Sequence, residues 1–196
     1  IAQAAATLNE MFPERFWLAV GSGEALNEHI TGERWPEGEA RDTRLRECVE
    51  VMRALWAGEM VTHHGQIHVV EAKLYTRPAK PPMIVGAAIT PKTAKWLGSW
   101  GDAMITVYKP YDEMKEMIGC FREGGGEGKP VFVQLQVSYH HDEATARREA
   151  HEQWRNLQFE SSVLSTLRTT EEFDAARQEV RIEDIDKSIS ILSHLH

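Results

Sequence analysis

The chain has 196 residues, 42% of them hydrophobic and 27% charged, enough for one sizeable core, and it reads as a single domain over residues 1–196. A formal charge of −8 argues against nucleic acid or an anionic membrane surface as main partner, since both require clustered Lys and Arg, and points to a small-molecule or protein partner. No apolar run approaches the ~18 residues of a membrane span. Two cysteines, Cys48 and Cys120, without metal-ligand spacing suit a reducing compartment, so the expected location is cytoplasmic.

In chain order, Ile1, Ala5, Leu8 and Met11 recur at helical spacing until Pro13 stops them. The chain thus opens without Met and inside a helix pattern, which reads as a fragment or a processed product. "RFWLAVG" predicts a buried strand ending at Gly21. From Arg41, the apolar positions Leu45, Cys48, Val49, Met52, Leu55 and Trp56 predict a helix closed by Gly58. "MVTHHGQIHVV" predicts a surface hairpin turning at His64-Gly65.

"PPMIVGAA" reads as a strand buried on both faces. It leads into a helix capped by Thr90 with Pro91 at its first position. "DAMITVY" is a further buried strand, followed by a helix with Asp112 as N-cap that ends before Gly124-Gly125-Gly126. "KPVFVQLQVSY" is the longest strand candidate. Asp142 then caps a helix with Ala146, Ala150 and Trp154 on one stripe, and Thr169 with Glu172 predicts a capping box. Apolar strands alternating with helices predict an α/β fold with parallel pairing, and both a doubly wound sheet and a (β/α)8 barrel satisfy that order. Either would place ligands at the C-terminal ends of the strands.

The segment "GSGEALNEHITGERWP" follows the first strand. Gly21-Ser22-Gly23 does not complete a dinucleotide fingerprint, because Leu26 stands where a third small residue is needed and Glu24 would repel a pyrophosphate. It reads either as a glycine-permitted turn or as the lip of a site in which the Glu24 carboxylate moves a proton and the Asn27 amide holds a planar heterocycle. Spacing alone does not decide. Gly86, Ala87 and Ala88 would let a ring approach the backbone, or simply allow tight helix packing. His63 and His68 could meet across the hairpin, but no third ligand is spaced to complete a metal site, so none is expected. His140 and His141 follow the long strand as weak candidates for substrate contact, and Trp35 could line a pocket.

Together, "GSGEALNEHITGERWP", "VTHHGQIHVVEAKLY" and "PPMIVGAAITPKTAKWLGSWGDAMIT" resemble the luciferase-like monooxygenase superfamily of flavin- and deazaflavin-dependent oxidoreductases, nearest its deazaflavin-dependent glucose-6-phosphate dehydrogenase-like branch. The resemblance runs from Ile1 to about Leu192. It implies a TIM-type (β/α)8 barrel of which about half the strands are present, with strands one to three and the eighth without a counterpart. In relatives those early strands carry an acid–histidine pair and a strained peptide that grip the flavin.

The resemblance also implies FMN or a deazaflavin coenzyme of the F-420 type, used by a monooxygenase or a dehydrogenase. It makes Glu24 the catalytic carboxylate, Asn27, Gly86, Ala87 and Ala88 the cofactor contacts, and Thr106 and Lys109 the substrate contacts. The remaining basic partners of a sugar phosphate are missing: "EEFDAARQ" places Asp174 near one expected position, which runs against glucose 6-phosphate. A homodimer is expected. Two alternatives stand beside this reading: an inactive partial barrel that self-associates through open strand edges, and a small-molecule-binding α/β domain unrelated to flavins.

Overall fold

A computed structural model describes residues 1–194, with Lys187 described by its backbone alone; residues 195–196 of the expected domain lie outside it. Helix α1 (Ala2–Met11) runs to the break before Pro13 and leads into strand β1 (Trp17–Val20). The one-turn α2 (Ala25–Glu28) and the long α3 (Gly38–Ala57) follow. The apolar stripe of α3 is the predicted one, with Val49, Met52, Leu55 and Trp56 buried and Gly58 closing the helix at φ +91°. The helix starts at Gly38, three residues before the predicted Arg41.

Strands β2 (Val61–His64) and β3 (His68–Ala72) form the hairpin, paired antiparallel. Strand β4 (Met83–Ala87) precedes α4 (Pro91–Gly98), whose N-terminus is capped as predicted: the Thr90 hydroxyl accepts the Thr93 N–H at 3.2 Å. Strand β5 (Ala103–Val107) leads to α5 (Tyr111–Phe121). Here the N-cap is Pro110, not Asp112, which instead occupies the first turn, where its charge complements the helix dipole.

The long predicted strand is two: β6 (Val131–Gln134) and β7 (Gln136–Tyr139), separated at Leu135. Helix α6 (Glu143–Trp154) is capped by Asp142, which accepts the Thr145 N–H at 3.0 Å. The short α7 (Ser161–Leu164) and α8 (Thr170–Ala176) follow. At α8, Thr169 takes the Glu172 N–H, but the Glu172 carboxylate accepts from Arg168 rather than from Thr169, so the capping box is only half formed. Strand β8 (Ile189–Leu192), which the sequence pattern did not announce, ends the described chain.

All ladder pairing outside the hairpin is parallel. One sheet has the order β1-β4-β5-β6, and β7 pairs with β8 in register from Gln136↔Ile189 to Tyr139↔Leu192. Because β6 and β7 are consecutive, five strand positions stand side by side. The fifth position is the short β8, paired in parallel with β7.

Side-chain alternation separates the two faces. Ile84, Ala88 and Met104 belong to a core shared with Leu97 of α4, Met117 and Phe121 of α5 and Val49, Met52 and Trp56 of α3, and Leu18, Val20 and Val131 pack against it. The opposite face carries Trp17, Ala19, Val85, Ala87, Ile105 and Phe132, by the registers Ala19↔Val85, Ala87↔Ile105 and Ile105↔Phe132. Trp17 and Phe132 come from the two edges of the four-stranded sheet, three strand spacings apart, about 14 Å if flat. Their rings nevertheless stack, with centroids 5.5 Å apart and planes 4° from parallel. The sheet is thus curled with this face inward, as in an arc of a barrel. The expectation that β1 is wholly buried is corrected: Trp17 is 42% exposed and Ala19 is exposed, because both look into the open side of the arc. A second, smaller core of Ala150, Ile185 and Ile189, with Trp154 and Ile191 beside it, seats β8 under α6.

Candidate active site

The C-terminal ends of β1, β4 and β5 lie at one rim. Past β1 the chain turns through Gly23 at φ +86°, where a side chain would meet the Trp35 ring and the Glu28 carboxylate, each 3.2 Å away. This turn therefore requires glycine. Trp35 packs over it and takes the Arg41 guanidinium on its ring, 4.7 Å from the centroid. The Trp35 indole nitrogen and Arg41 Nε are buried without a hydrogen-bond partner among the described residues.

Glu24 stands next, just before α2, with an exposed carboxylate that makes no capping bond to the helix. It lines a cavity of about 830 Å³ together with Arg41, Asp42 and Glu47 of α3, Thr90 and Lys92 at the start of α4, and Ser161, Ser162 and Ser165 around α7. The late segment is fastened there by the Ala25 N–H, which donates to the Ser165 carbonyl at 3.2 Å.

Two carboxylates of this cavity are perturbed, in opposite directions. Burial pushes Asp42 above its ordinary range, only partly offset by Arg41 and Lys92. Glu47 is held below its ordinary range, first by the His63 ring nitrogen at 3.0 Å and then by backbone N–H groups of the hairpin loop, Ile67 at 3.1 Å among them. A Cβ at Gly65 would fall 2.6 Å from both Glu47 carboxylate oxygens. Glu47 thus clips the hairpin tip onto α3. Sequence reasoning missed Asp42 and Glu47. The only signal was a pair of carboxylates flanking the apolar stripe, which any solvated helix face would also show.

The sequence-predicted residues do not converge on one spot. Ala87 lies exposed on the inner face of the arc, and a Cβ built on Gly21 of the neighbouring strand end would approach its methyl at 3.8 Å. Gly86 and Ala88 face the other way. The space left by the missing Gly86 side chain is occupied by Leu97, whose Cδ1 would be 2.0 Å from an added Cβ, and Ala88 is part of the core. For these two the packing alternative describes their side-chain positions, because strand alternation turns every second residue towards the helices.

Thr106 is likewise in phase with Met104 and 3% exposed; its hydroxyl has no partner among the described residues. Lys109 reaches the rim, but its ammonium lies 3.7 Å from the Glu113 carboxylate. Asn27 is exposed one turn beyond Glu24 and does not line the cavity. Asp174 pairs with Arg177 at 2.5 Å. His63 meets Glu47 rather than His68, and no group of three or more metal-ligating side chains occurs among the described residues. His140 holds the Asp142 N–H at 3.0 Å at the end of β7.

Exposed Ala19, Gly21 and Ala87 are small groups near the top of the inner face, and Glu24 follows Gly21 by three residues. No side chain larger than a methyl rises from those three positions.

The sequence model of luciferase-like monooxygenases matches residues 1–189. The chain belongs to this family. Among relatives of this luciferase-like chain is the F420-dependent glucose-6-phosphate dehydrogenase of Tsukamurella paurometabola, 36% identical over 198 positions that cover 95% of this chain and 59% of the relative. The enzyme of the same name from Kribbella flavida is 33% identical, again over 95% and 59%. The chain thus spans about three-fifths of the length of these curated relatives. A solved F420-dependent secondary alcohol dehydrogenase, in complex with an F420–acetone adduct, is 28% identical and superposes over 97% of this chain and 60% of its own with a TM-score of 0.85. The F420-dependent tetrahydromethanopterin reductase of Methanopyrus kandleri, 19% identical, shares the fold at a TM-score of 0.71 over 96% of this chain and 64% of its own. The fold is a partial TIM-type barrel. No described helix is long and apolar enough to cross a membrane.

Proposed function

We propose that this luciferase-like chain serves an F420-type deazaflavin oxidoreductase that interconverts an alcohol and a carbonyl compound. The observation that carries the reading is the set of small, exposed residues at the strand ends, Ala19, Gly21 and Ala87, with the uncapped Glu24 carboxylate three residues after Gly21. The dependence on F420 named for its relatives favours a deazaflavin over FMN. When bound, the coenzyme supplies a hydride acceptor, and the protein supplies position and proton transfer.

Gly21 and Ala87 would hold the coenzyme ring near the strand ends, and Glu24 would accept the hydroxyl proton of the alcohol. As the carbon–oxygen double bond forms, the carbinol hydride would pass to the bound coenzyme and the hydroxyl proton would reside on a Glu24 carboxylate oxygen. In the reverse direction Glu24 returns it. Ion pairing of Lys109 with Glu113 and of Asp174 with Arg177 speaks for an uncharged substrate rather than a sugar phosphate.

Fluorescence titration with oxidised F420 and, separately, with FMN tests the reading. Saturable F420 binding that Ala87→Leu weakens more than tenfold, at an unchanged melting temperature, supports it. Absence of F420 binding, or binding indifferent to Ala87→Leu, overturns it. In an active preparation, full turnover by Glu24→Gln would remove the proton role while leaving the coenzyme platform standing.

A further inference from the structure

The tip of the β2–β3 hairpin carries a feature unrelated to the cavity. His64 lies directly opposite His68 in the ladder, both are exposed, and their Nδ1 atoms are 3.0 Å apart, with ring centroids 4.5 Å apart and planes tilted by 47°. The backbone holds them there. Gly65 N–H donates to the Ile67 carbonyl at 3.0 Å and closes the loop, and the Glu47 carboxylate takes the Ile67 N–H and His63 from the other face. Two imidazoles are therefore brought together by pairing that neither ring contributes to.

We propose that His64 and His68 form a two-imidazole site for a divalent ion of tetragonal preference, Cu²⁺ or Ni²⁺. With metal–nitrogen bonds of about 2.0–2.1 Å, nitrogens 3.0 Å apart subtend roughly 90° at the ion, whereas a tetrahedral ion such as Zn²⁺ needs them about 3.4 Å apart. A right angle is the cis relation of square-planar and octahedral centres, and imidazole suits both metals. The ion takes the place of the proton shared between the two Nδ1 atoms, and that proton moves through solvent to the Nε2 of its own ring. Water completes the coordination, because His63 points to the opposite face of the hairpin with Glu47 and supplies no third nitrogen. The net charge of −8 favours cation approach.

Calorimetric titration of the chain with Cu²⁺, Ni²⁺ and Zn²⁺ as the bare ions in a non-coordinating buffer, with electron paramagnetic resonance of the Cu²⁺ form, tests the site. The expected result is one Cu²⁺ per chain with two equatorial imidazole nitrogens. His64→Gln and His68→Gln should each weaken that binding more than tenfold, while the distant His141→Gln leaves it unchanged. Since both rings are exposed, thermal melts of the variants should match the parent, which separates loss of a ligand from loss of the fold. Binding that survives either hairpin substitution, or a spectrum with a single nitrogen, overturns the proposal. Zn²⁺ binding as tight as Cu²⁺ overturns the tetragonal assignment.

Discussion

Replacing Gly86 by alanine separates a ligand-facing glycine from a packing one. The added Cβ would lie 2.0 Å from Leu97 Cδ1 and 2.9 Å from Cδ2 and Cγ, all atoms of one buried side chain. Leu97 is wedged in a core with Ile84, Met104 and Phe121, so it has little room to turn away. Overpacking of this kind costs about 1–3 kcal/mol, and at ~2–4 °C per kcal/mol for a chain of this size the melting temperature falls by roughly 2–12 °C. Leu97→Ala alone opens a cavity and costs about 2–5 kcal/mol. In that background the new methyl fills space instead of colliding, and its burial returns about 0.8 kcal/mol. Gly86→Ala should therefore be destabilising in the parent and neutral or stabilising beside Leu97→Ala, a coupling of about 2 kcal/mol or more in a double-mutant cycle read by urea and thermal denaturation. Equal cost in both backgrounds, or no cost in either, would refute the assignment of Gly86 to helix packing.

The other expectations concern charge and capping. Glu47 is held below its ordinary range in the fold, so its contribution to stability is complete above that range and disappears as pH falls through the lowered value. Glu47→Gln should flatten this acid limb, read as hydrogen exchange of the Ile67 amide across the acid range. Asp42 is raised by burial, so its ionised form is disfavoured in the fold. Asp42→Asn should raise the melting temperature at neutral pH, and the gain should vanish once pH drops below the ordinary aspartate range. Thr90→Ala removes the acceptor for the Thr93 N–H and should cost about 0.5–2 kcal/mol in a denaturant melt.

Local signals carried far in this chain. The apolar stripe of α3, the Thr90-Pro91 helix start, the Asp142 cap and the histidine hairpin could all be read because each depends on neighbours within a few residues. What escaped is what depends on partners distant in sequence. In a parallel strand apolar on both faces, nothing in "PPMIVGAA" or "DAMITVY" tells which alternate residues meet helices, so Gly86, Ala88 and Thr106 could not be separated from Ala87 beforehand. The interruption at Leu135 follows from a change of ladder partner, β5 for Val131–Gln134 and β8 for Gln136–Tyr139. The short β8 depends on the same pairing and on the pocket under α6. His63 seemed free to reach His68 until Glu47, sixteen residues earlier on a different element, claimed it.

The stacked rings of Trp17 and Phe132 act as a chord drawn across an arc. They set the radius at the floor of the trough by direct contact between its two outermost strands, and the spacing of the strand tips above inherits that radius. The spacing of the rim is consequently tied to an aromatic pair whose Trp17 lies four residues before Gly21 and whose Phe132 is in register with Ile105 and Ala87, so the width of the mouth follows from a contact inside the trough.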